Sequence, residues 1–279
     1  MFSRMSLYPS VPQAQRYSPP TLAQQVSQEV APPSPGHRLL PFWAEMIGAL
    51  PRLGAVCTVS RNQHAVLGGI CVYPDKQGSI PDPDALQFHH DFSAWNQGWY
   101  YHETVNGEPL SGIEFRDRTG MGFHKVVFTD DSDMTHAQTL VHAFEQDPLS
   151  PEEVGTAFKT NHLDGACCAK CEANLSLESR ARAEELHEFV NTAITAERPL
   201  RVVLAHPALV SVRRFIPRRT KSHGLWQAIA GDGVTLFLRT SGLGSLEITQ
   251  IHPSDIGPCQ LATLSDRSGD LVASLIMEE

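Results

Sequence analysis

The chain has 279 residues, of which 41% are hydrophobic and 19% charged, a composition typical of a globular protein with one large core or two smaller ones. Its formal net charge of −9 argues against a general electrostatic affinity for nucleic acid or anionic membranes. No window approaches the roughly 18 consecutive apolar residues of a membrane span, and residues 1–10 contain no apolar run of signal-peptide length. We therefore expect a cytoplasmic protein without a membrane span that does not bind nucleic acid.

The N-terminal segment 1–37 is predicted to be a disordered tail. It is rich in Pro, Ser and Gln and has few large apolar residues, so it cannot bury enough surface to offset the entropy cost of ordering. From Leu39 onwards apolar residues recur at helical spacing until Pro51, which predicts that a compact unit begins with a helix.

Short β-rich runs follow this helix, separated by turn residues. The predicted strands are 55–60, 65–73, 86–92, 98–102, 112–117 and 123–129. A helix is predicted at 134–145, and a polar, cysteine-bearing connection at 148–180. The same order then returns, with a helix at 183–195 and strands at 201–205, 209–216, 225–230, 234–239, 246–251, 259–265 and 271–277.

Two similar turns suggest an internal repeat. Residues 117–120 read DRTG and residues 266–269 read DRSG, each between two apolar strands and 149 residues apart. Because the order of elements around them also matches, we predict an α+β fold built from a duplicated unit of a helix plus a large antiparallel sheet. The two pseudo-symmetric halves are 38–147 and 181–279, and Asp117 is expected to superpose on Asp266.

Several stretches carry a family resemblance. They are VSRNQHAVLGGICVY at 59–73, FSAWNQGWYY at 92–101, GIEFRDRTGMGFHKVVFTDDSD at 112–133, RVVLAHP at 201–207 and WQAIAGDGVTLFLR at 226–239. In this order they resemble the haemin-utilisation proteins of the HemS/HmuS/ChuX type, which act in haem transport and haem degradation. The resemblance implies a haem cofactor in a cleft between the halves, held by an axial histidine, with basic or tyrosine residues near the propionates.

Some family positions carry different residues in this chain. A family histidine falls on Leu67, an arginine before the Trp-containing strand falls on His89, and a lysine falls on His252. The C-terminal LYGQR run of the family falls on 275–279, and the local motif of the family's axial histidine is mimicked around His187. The resemblance therefore predicts that haem, if bound, has an axial histidine other than the usual one, with His89, His187 and His252 as candidates.

Further residues are candidates for the haem site. Arg213 and Arg214 belong to a basic cluster in an acidic chain, and arginine pairs with carboxylates such as propionates, although the alternative is a solvated hairpin flank. His124 matches the family's His-Lys pair, which fits either ligand contact or hairpin packing. On the predicted strand at 86–92, His89 and His90 must point to opposite faces, so only one of them can face a cleft.

The connection contains four potential metal ligands: His162, Cys167, Cys168 and Cys171. A Cys-x2-Cys pair places two thiolates within reach of one ion, but a closed structural site usually takes four ligands from two such pairs. The alternatives are a compact metal site, a thiolate ligand for haem, or reduced thiols in a flexible segment.

The leading hypothesis from the sequence is a haem or tetrapyrrole binding and trafficking protein. One alternative is a non-haem metal-binding or regulatory relative that kept the fold and lost the haem site, and another is an oxidative haem-degrading enzyme. The chain contains no GxSxG, Walker loop, GxGxxG or HExxH motif. The sequence therefore favours a protein that is not an enzyme, while the resemblance leaves this open.

Overall fold

The computed structural model describes residues 34–74, 86–105, 108–146, 177–223, 225–253 and 257–278. Within these ranges the α-helices are α1 (Trp43–Ala49), α2 (Met134–Phe144) and α3 (Leu177–Thr195). Short 3-10 helices lie at Leu50–Leu53, Phe92–Ala94 and Thr240–Gly242. None of these helices is long and apolar enough to cross a membrane.

Fifteen strands are formed by the described residues. They are β1 (Ser34–Leu39), β2 (Gly54–Arg61), β3 (Ala65–Val72), β4 (Gln87–His90), β5 (Trp95–Val105), β6 (Glu108–Asp117), β7 (Gly122–Ser132), β8 (Leu200–His206), β9 (Leu209–Phe215), β10 (Arg219–His223), β11 (Trp226–Gly231), β12 (Val234–Arg239), β13 (Leu243–Ile251), β14 (Cys259–Asp266) and β15 (Leu271–Glu278). All the strand pairings are antiparallel. With the three helices, they give the α+β class predicted from the sequence.

The strands form two sheets that exchange strands between the two halves of the chain. The nine-stranded sheet has the order β1-β5-β6-β7-β2-β3-β12-β11-β10, and the six-stranded sheet has the order β13-β14-β15-β8-β9-β4. Strand β12 of the second half pairs with β3, and strand β4 of the first half pairs with β9. The two sheets therefore do not coincide with the predicted halves 38–147 and 181–279.

The inner faces of the two sheets enclose two apolar cores. One core includes α1, through Trp43, Met46 and Ile47, with residues of β2, β6 and β7. The other includes α3, through Leu186 and Phe189, with residues of both sheets. The strand residues of this second core include Leu67, Leu236, Leu238, Val202, Leu204, Leu264 and Leu275. Apolar and polar residues alternate along the strands, so each sheet presents an apolar face. The apolar sides of α1 and α3 are buried against these faces.

The two similar turns have the same hydrogen bonds. The Asp117 Oδ1 accepts hydrogen bonds from the backbone N–H of Thr119 and Met121. In the same way, the Asp266 Oδ1 accepts hydrogen bonds from the backbone N–H of Ser268 and Asp270. This is the Asp-based turn that the DRTG and DRSG sequences predict.

Every strand and helix predicted from Leu39 onwards is present, with ends shifted by a few residues. One strand, β10, was missed because its sequence RTKSH is polar throughout. The predicted tail also needs a correction, since Ser34–Leu39 forms β1 and pairs with β5. Strand β1 therefore begins a few residues before the predicted boundary at 37, and the rest of the predicted tail lies outside the described residues.

Candidate functional site

The six-stranded sheet has one buried face and one half-exposed face, which we call the outer face. Along β8 and β9 buried and half-buried residues alternate strictly. The half-buried residues include Val203, Val210 and Val212, and Val203 lies directly opposite Val212. Because opposite residues of an antiparallel pair point to the same side, these valines form a continuous apolar surface.

His89 lies on this outer face. It is exposed on β4 and pairs with Val210, while the preceding Phe88 points into the core. Arg214 is on the same face of β9, four residues beyond Val210, which corresponds to about 14 Å along the strand. The sheet therefore places a predicted ligand and a predicted propionate-binding residue at two ends of one apolar surface.

Two arginines and one glutamate form a charged group beside the valines. The Arg214 Nη2 lies 2.8 Å from the Glu278 Oε2, and the Arg201 Nη2 lies 3.2 Å from the Glu278 Oε1. Arg201 pairs directly with Arg214 across β8 and β9. Two guanidinium groups therefore share one carboxylate. Arg201 was not among the sequence candidates.

Arg213 is separated from Arg214 by the alternation of the strand. Its side chain is only 7% exposed and lies between the sheets. Its Nη2 donates a hydrogen bond of 2.5 Å to the backbone carbonyl of Ile70. Burial lowers the pKa of Arg213, and the neighbouring Cys71 and Cys57 oppose that effect. The predicted basic pair is thus divided between the two faces of the sheet.

His187 lies on α3, away from the outer face. It lines a surface cavity of about 300 Å3 together with Ala183, Glu184, Glu188 and Ser222. The Gln227 side-chain amide donates to the His187 Nδ1 at 3.2 Å. The neutral ring then carries its proton on Nε2, whereas a metal-bound histidine normally donates from one nitrogen and binds through the other. This arrangement does not suit His187 as an axial ligand.

His124 is part of a buried hydrogen-bond network. Its Nδ1 lies 3.1 Å from the Ser60 Oγ, its Nε2 lies 3.3 Å from the Tyr73 Oη, and Ser211 of the other sheet donates to Ser60. Tyr73 also contacts His90 at 3.1 Å. Burial, with a smaller contribution from His90, lowers the pKa of His124 to about 3. His124 is therefore a neutral residue that connects the two sheets, with both ring nitrogens engaged.

The remaining sequence candidates lie apart from these groups. His252 is exposed and directly follows β13, on the opposite edge of the sheet from His89. The four potential metal ligands His162, Cys167, Cys168 and Cys171 lie outside the described residues. Within the described part of the chain, no group of three or more His, Cys, Asp or Glu side chains is placed to hold a metal ion.

Sequence reasoning missed a buried charged group on the nine-stranded sheet. The Glu114 Oε1 accepts from the Arg116 Nε at 2.7 Å, and its Oε2 lies 2.9 Å from the Lys125 Nζ. Burial opposes ionisation of Glu114, but Lys125, Arg116 and Arg61 outweigh it and hold its pKa at about 2. The sequence could have indicated this group, because Glu114 and Arg116 are two residues apart on a predicted strand and must therefore lie on the same face.

Two histidine–aspartate contacts join the halves of the chain. The His206 Nδ1 accepts from the backbone N–H of Ala208, so its proton lies on Nε2, which is 3.4 Å from the Asp117 Oδ2. The His64 Nε2 lies 3.9 Å from the Asp266 Oδ2. Burial lowers the pKa of both histidines, although the aspartates oppose this. The turns at Asp117 and Asp266 are thus each contacted by a histidine of the other half.

Comparison with known proteins identifies the fold. No protein-family model and no curated protein matches the sequence. Among solved structures, the haem-degrading enzyme ChuS of Escherichia coli O157:H7 and the haem-bound form of the haem-binding protein PhuS of Pseudomonas aeruginosa are both similar, at a TM-score of 0.67. In each case the sequences are 18% identical, and the match covers 92% of this chain and 84% of the other. The chain therefore has the fold of ChuS and PhuS, as the sequence resemblance predicted.

Proposed function

We propose that the chain is a cytoplasmic protein that binds haem or a related tetrapyrrole on the outer face of the six-stranded sheet. The observation that carries this proposal is the placement of His89, the valine surface and the Arg201–Arg214 pair on one face. The fold supports it, because PhuS is described as a haem-binding protein and ChuS as a haem-degrading enzyme. The free thiols of Cys57, Cys71 and Cys259 fit a reducing compartment.

The residues present fit the chemical needs of haem. The iron takes a histidine as axial ligand, the macrocycle needs an apolar surface, and the propionates need cations. His89 would supply the ligand, Val203, Val210 and Val212 the apolar surface, and Arg214 with Arg201 the cations. Haem bound there would supply the iron and the redox chemistry, while these residues bind and orient it.

Among the histidine candidates, His89 is the best placed. It is exposed and shares a face with the arginines, whereas His187 accepts a hydrogen bond on Nδ1 and His124 is buried. His252 lies at the opposite edge of the six-stranded sheet. We therefore propose that His89 would bind the iron, in a site formed by strands from both halves.

A haemin titration of the full chain tests the proposal. We expect a saturable shift of the Soret band at micromolar haemin, and at least a tenfold weaker affinity for His89→Ala, about 1.4 kcal/mol. His142→Ala, at an exposed position of α2, is the matched control and should bind like the wild type. Absence of a saturable shift for the wild type refutes haem binding, whereas unchanged binding by His89→Ala refutes only the ligand assignment.

We propose trafficking rather than degradation as the role of this binding. The outer face is a half-exposed surface in the described part of the chain, which favours transfer of haem to a partner, whereas oxidative chemistry benefits from a site that excludes water. Loss of the Soret band with a reductant and oxygen would favour degradation instead. Transfer to apomyoglobin without loss of the tetrapyrrole would support trafficking.

We also infer that the two halves derive from one duplicated unit. Strands β5-β6-β7-β2-β3 and β13-β14-β15-β8-β9 occur in the same order, and each set is followed by a strand from the other half, β12 or β4. The matching hydrogen bonds of the turns at Asp117 and Asp266 support this inference. A structural superposition of the halves on these two residues is the test.

A further inference from the structure

Within the described part of the chain, strand β13 leaves one edge of the six-stranded sheet open. It is the terminal strand of that sheet, and no described residue pairs with its outer edge. The side chains of residues 247–250 are exposed on both faces of the strand. Ile248 is 37% exposed although it lies opposite the fully buried Ala262. An apolar side chain therefore stands at an open edge, on the side of the sheet that faces the core.

The other sheet edges are protected in the usual ways, and β13 is not. Strand β4 has four residues, and β10 has five residues that include Arg219 and Lys221. The pairing of β1 with β5 is irregular between Ser34 and His37. Short length, positive charge and irregularity all disfavour pairing with another chain. Strand β13 has nine residues and a single charged residue, Glu247, and its pairing is regular from Ser245 onwards.

The nine-stranded sheet shows how the same kind of edge is covered. There, β5 follows the 3-10 helix Phe92–Ala94 and is covered by the antiparallel strand β1. In the six-stranded sheet, β13 follows the 3-10 helix Thr240–Gly242 in the same way. An antiparallel strand outside β13 is therefore an arrangement that this fold already contains.

We propose that β13 pairs with β13 of a second copy of this chain, about a twofold axis normal to the sheet. Such an axis places the core-facing sides of the two sheets on the same side of the joined sheet. Even-numbered residues of one strand therefore lie opposite even-numbered residues of the other, and odd-numbered opposite odd-numbered. A pairing centred on Glu247 would oppose two carboxylates. A pairing centred on Ile248 places the two Ile248 side chains against each other and Glu247 opposite Thr249, which buries the exposed apolar residue without opposing like charges.

The self-complementary pattern favours a second copy over another protein. Twofold dimers use the same patch on both subunits, and the strand offers an apolar centre flanked by a carboxylate and a hydroxyl. A single pair of strands buries less than the roughly 1,200 Å2 of a standard stable interface. We therefore expect a reversible dimer with a dissociation constant in the micromolar range.

Sedimentation velocity of the full chain over a range of micromolar concentrations tests the dimer. Two lysine substitutions at adjacent exposed positions should act in opposite directions. Ile248→Lys places two ammonium groups face to face and should weaken the dimer at least tenfold, whereas Thr249→Lys places each ammonium opposite Glu247 and should tighten it several-fold. Ile248→Val is the conservative control and should leave the dissociation constant within about threefold of the wild type.

Three outcomes would overturn the proposal. They are a wild type that stays monomeric throughout the concentration range, a dimer that is insensitive to Ile248→Lys, and a dimer that Thr249→Lys weakens. The last outcome would place Thr249 rather than Ile248 on the axis. Unfolding curves of the variants, expected to match the wild type because both side chains are exposed, exclude a loss of fold as the cause. Haemin binding on the outer face is not involved, so the two proposals are tested separately.

Discussion

Replacement of Glu114 by Gln is expected to destabilise the protein strongly. The side chain is 1% exposed and Arg116 is fully buried, so the substitution leaves a buried guanidinium without its carboxylate partner. Removing one partner of a buried ion pair typically costs about 3–5 kcal/mol. The lowered pKa of Glu114 agrees in direction and size, since the difference between the ordinary 4.5 and about 2 corresponds to about 3 kcal/mol.

The sign of the pH dependence follows from the same pKa. Because the pKa of Glu114 is lower in the folded state, its contribution is fully present above pH 4.5 and is lost as the pH falls from 4.5 towards 2. Urea unfolding of wild type and Glu114→Gln at pH 7 should therefore differ by about 3–4 kcal/mol, and the difference should shrink on acidification.

Asp130→Asn is the matched control for this prediction. Asp130 is an exposed carboxylate on β7, the strand that pairs with β6 of Glu114, so the substitution should change the free energy of unfolding by no more than about 0.5 kcal/mol. A loss below about 1 kcal/mol for Glu114→Gln at pH 7 would contradict the role assigned to the buried pair. A difference that persists unchanged down to pH 2 would contradict the pKa.

Further predictions concern two glycines and one histidine. Gly112→Ala should cost at least about 2 kcal/mol in urea unfolding, because its Cβ would overlap the Val126 carbonyl oxygen. Gly48→Ala, in helix α1 with open space around it, should instead increase the free energy of unfolding by about 0.5–1 kcal/mol and so raise the melting temperature. The wild type should lose stability as the pH falls from 6.5 towards 3, because His124 is neutral when folded and becomes protonated when unfolded. In acid-unfolding curves, His124→Gln should not show this loss of stability between pH 6.5 and 3. A pH profile identical to that of the wild type would contradict the assigned role of His124.

The sequence predicted local structure well because the signals are local. Alternating apolar residues marked the strands, and the Asp-containing turns were read from DRTG and DRSG. Helix α3 begins at Leu177, whereas the sequence predicted a start at 183. The prediction began too late because the first two turns, LESRARAE, lack apolar periodicity. The exchange of β4 and β12 could not be predicted, since strand pairing between distant segments leaves no trace in the pattern of one strand.

The candidate site was predicted only in part, for a similar reason. The sequence named His89 and Arg214, and the structure places both on the outer face. The sequence analysis also assigned Arg213 and Arg214 to the same site, although neighbouring residues of a strand point to opposite faces of the sheet. Burial of His124 depends on Ser60 and on Tyr73, which are distant in sequence, so its role in linking the sheets could only be seen in three dimensions.

The exchange of strands brings residues of both halves together in the proposed site. His89 belongs to the first half, and Arg201 and Arg214 belong to the second, yet β4 joins the same sheet as β8 and β9. If each half formed its own closed sheet, His89 would lie on a different surface from the arginines. The pairing of β4 with β9 also buries Phe88, so the same contact that holds the sheet together positions the proposed ligand. A site of this kind depends on docking of the two halves, which the buried network at His124 and the contacts at Asp117 and Asp266 stabilise.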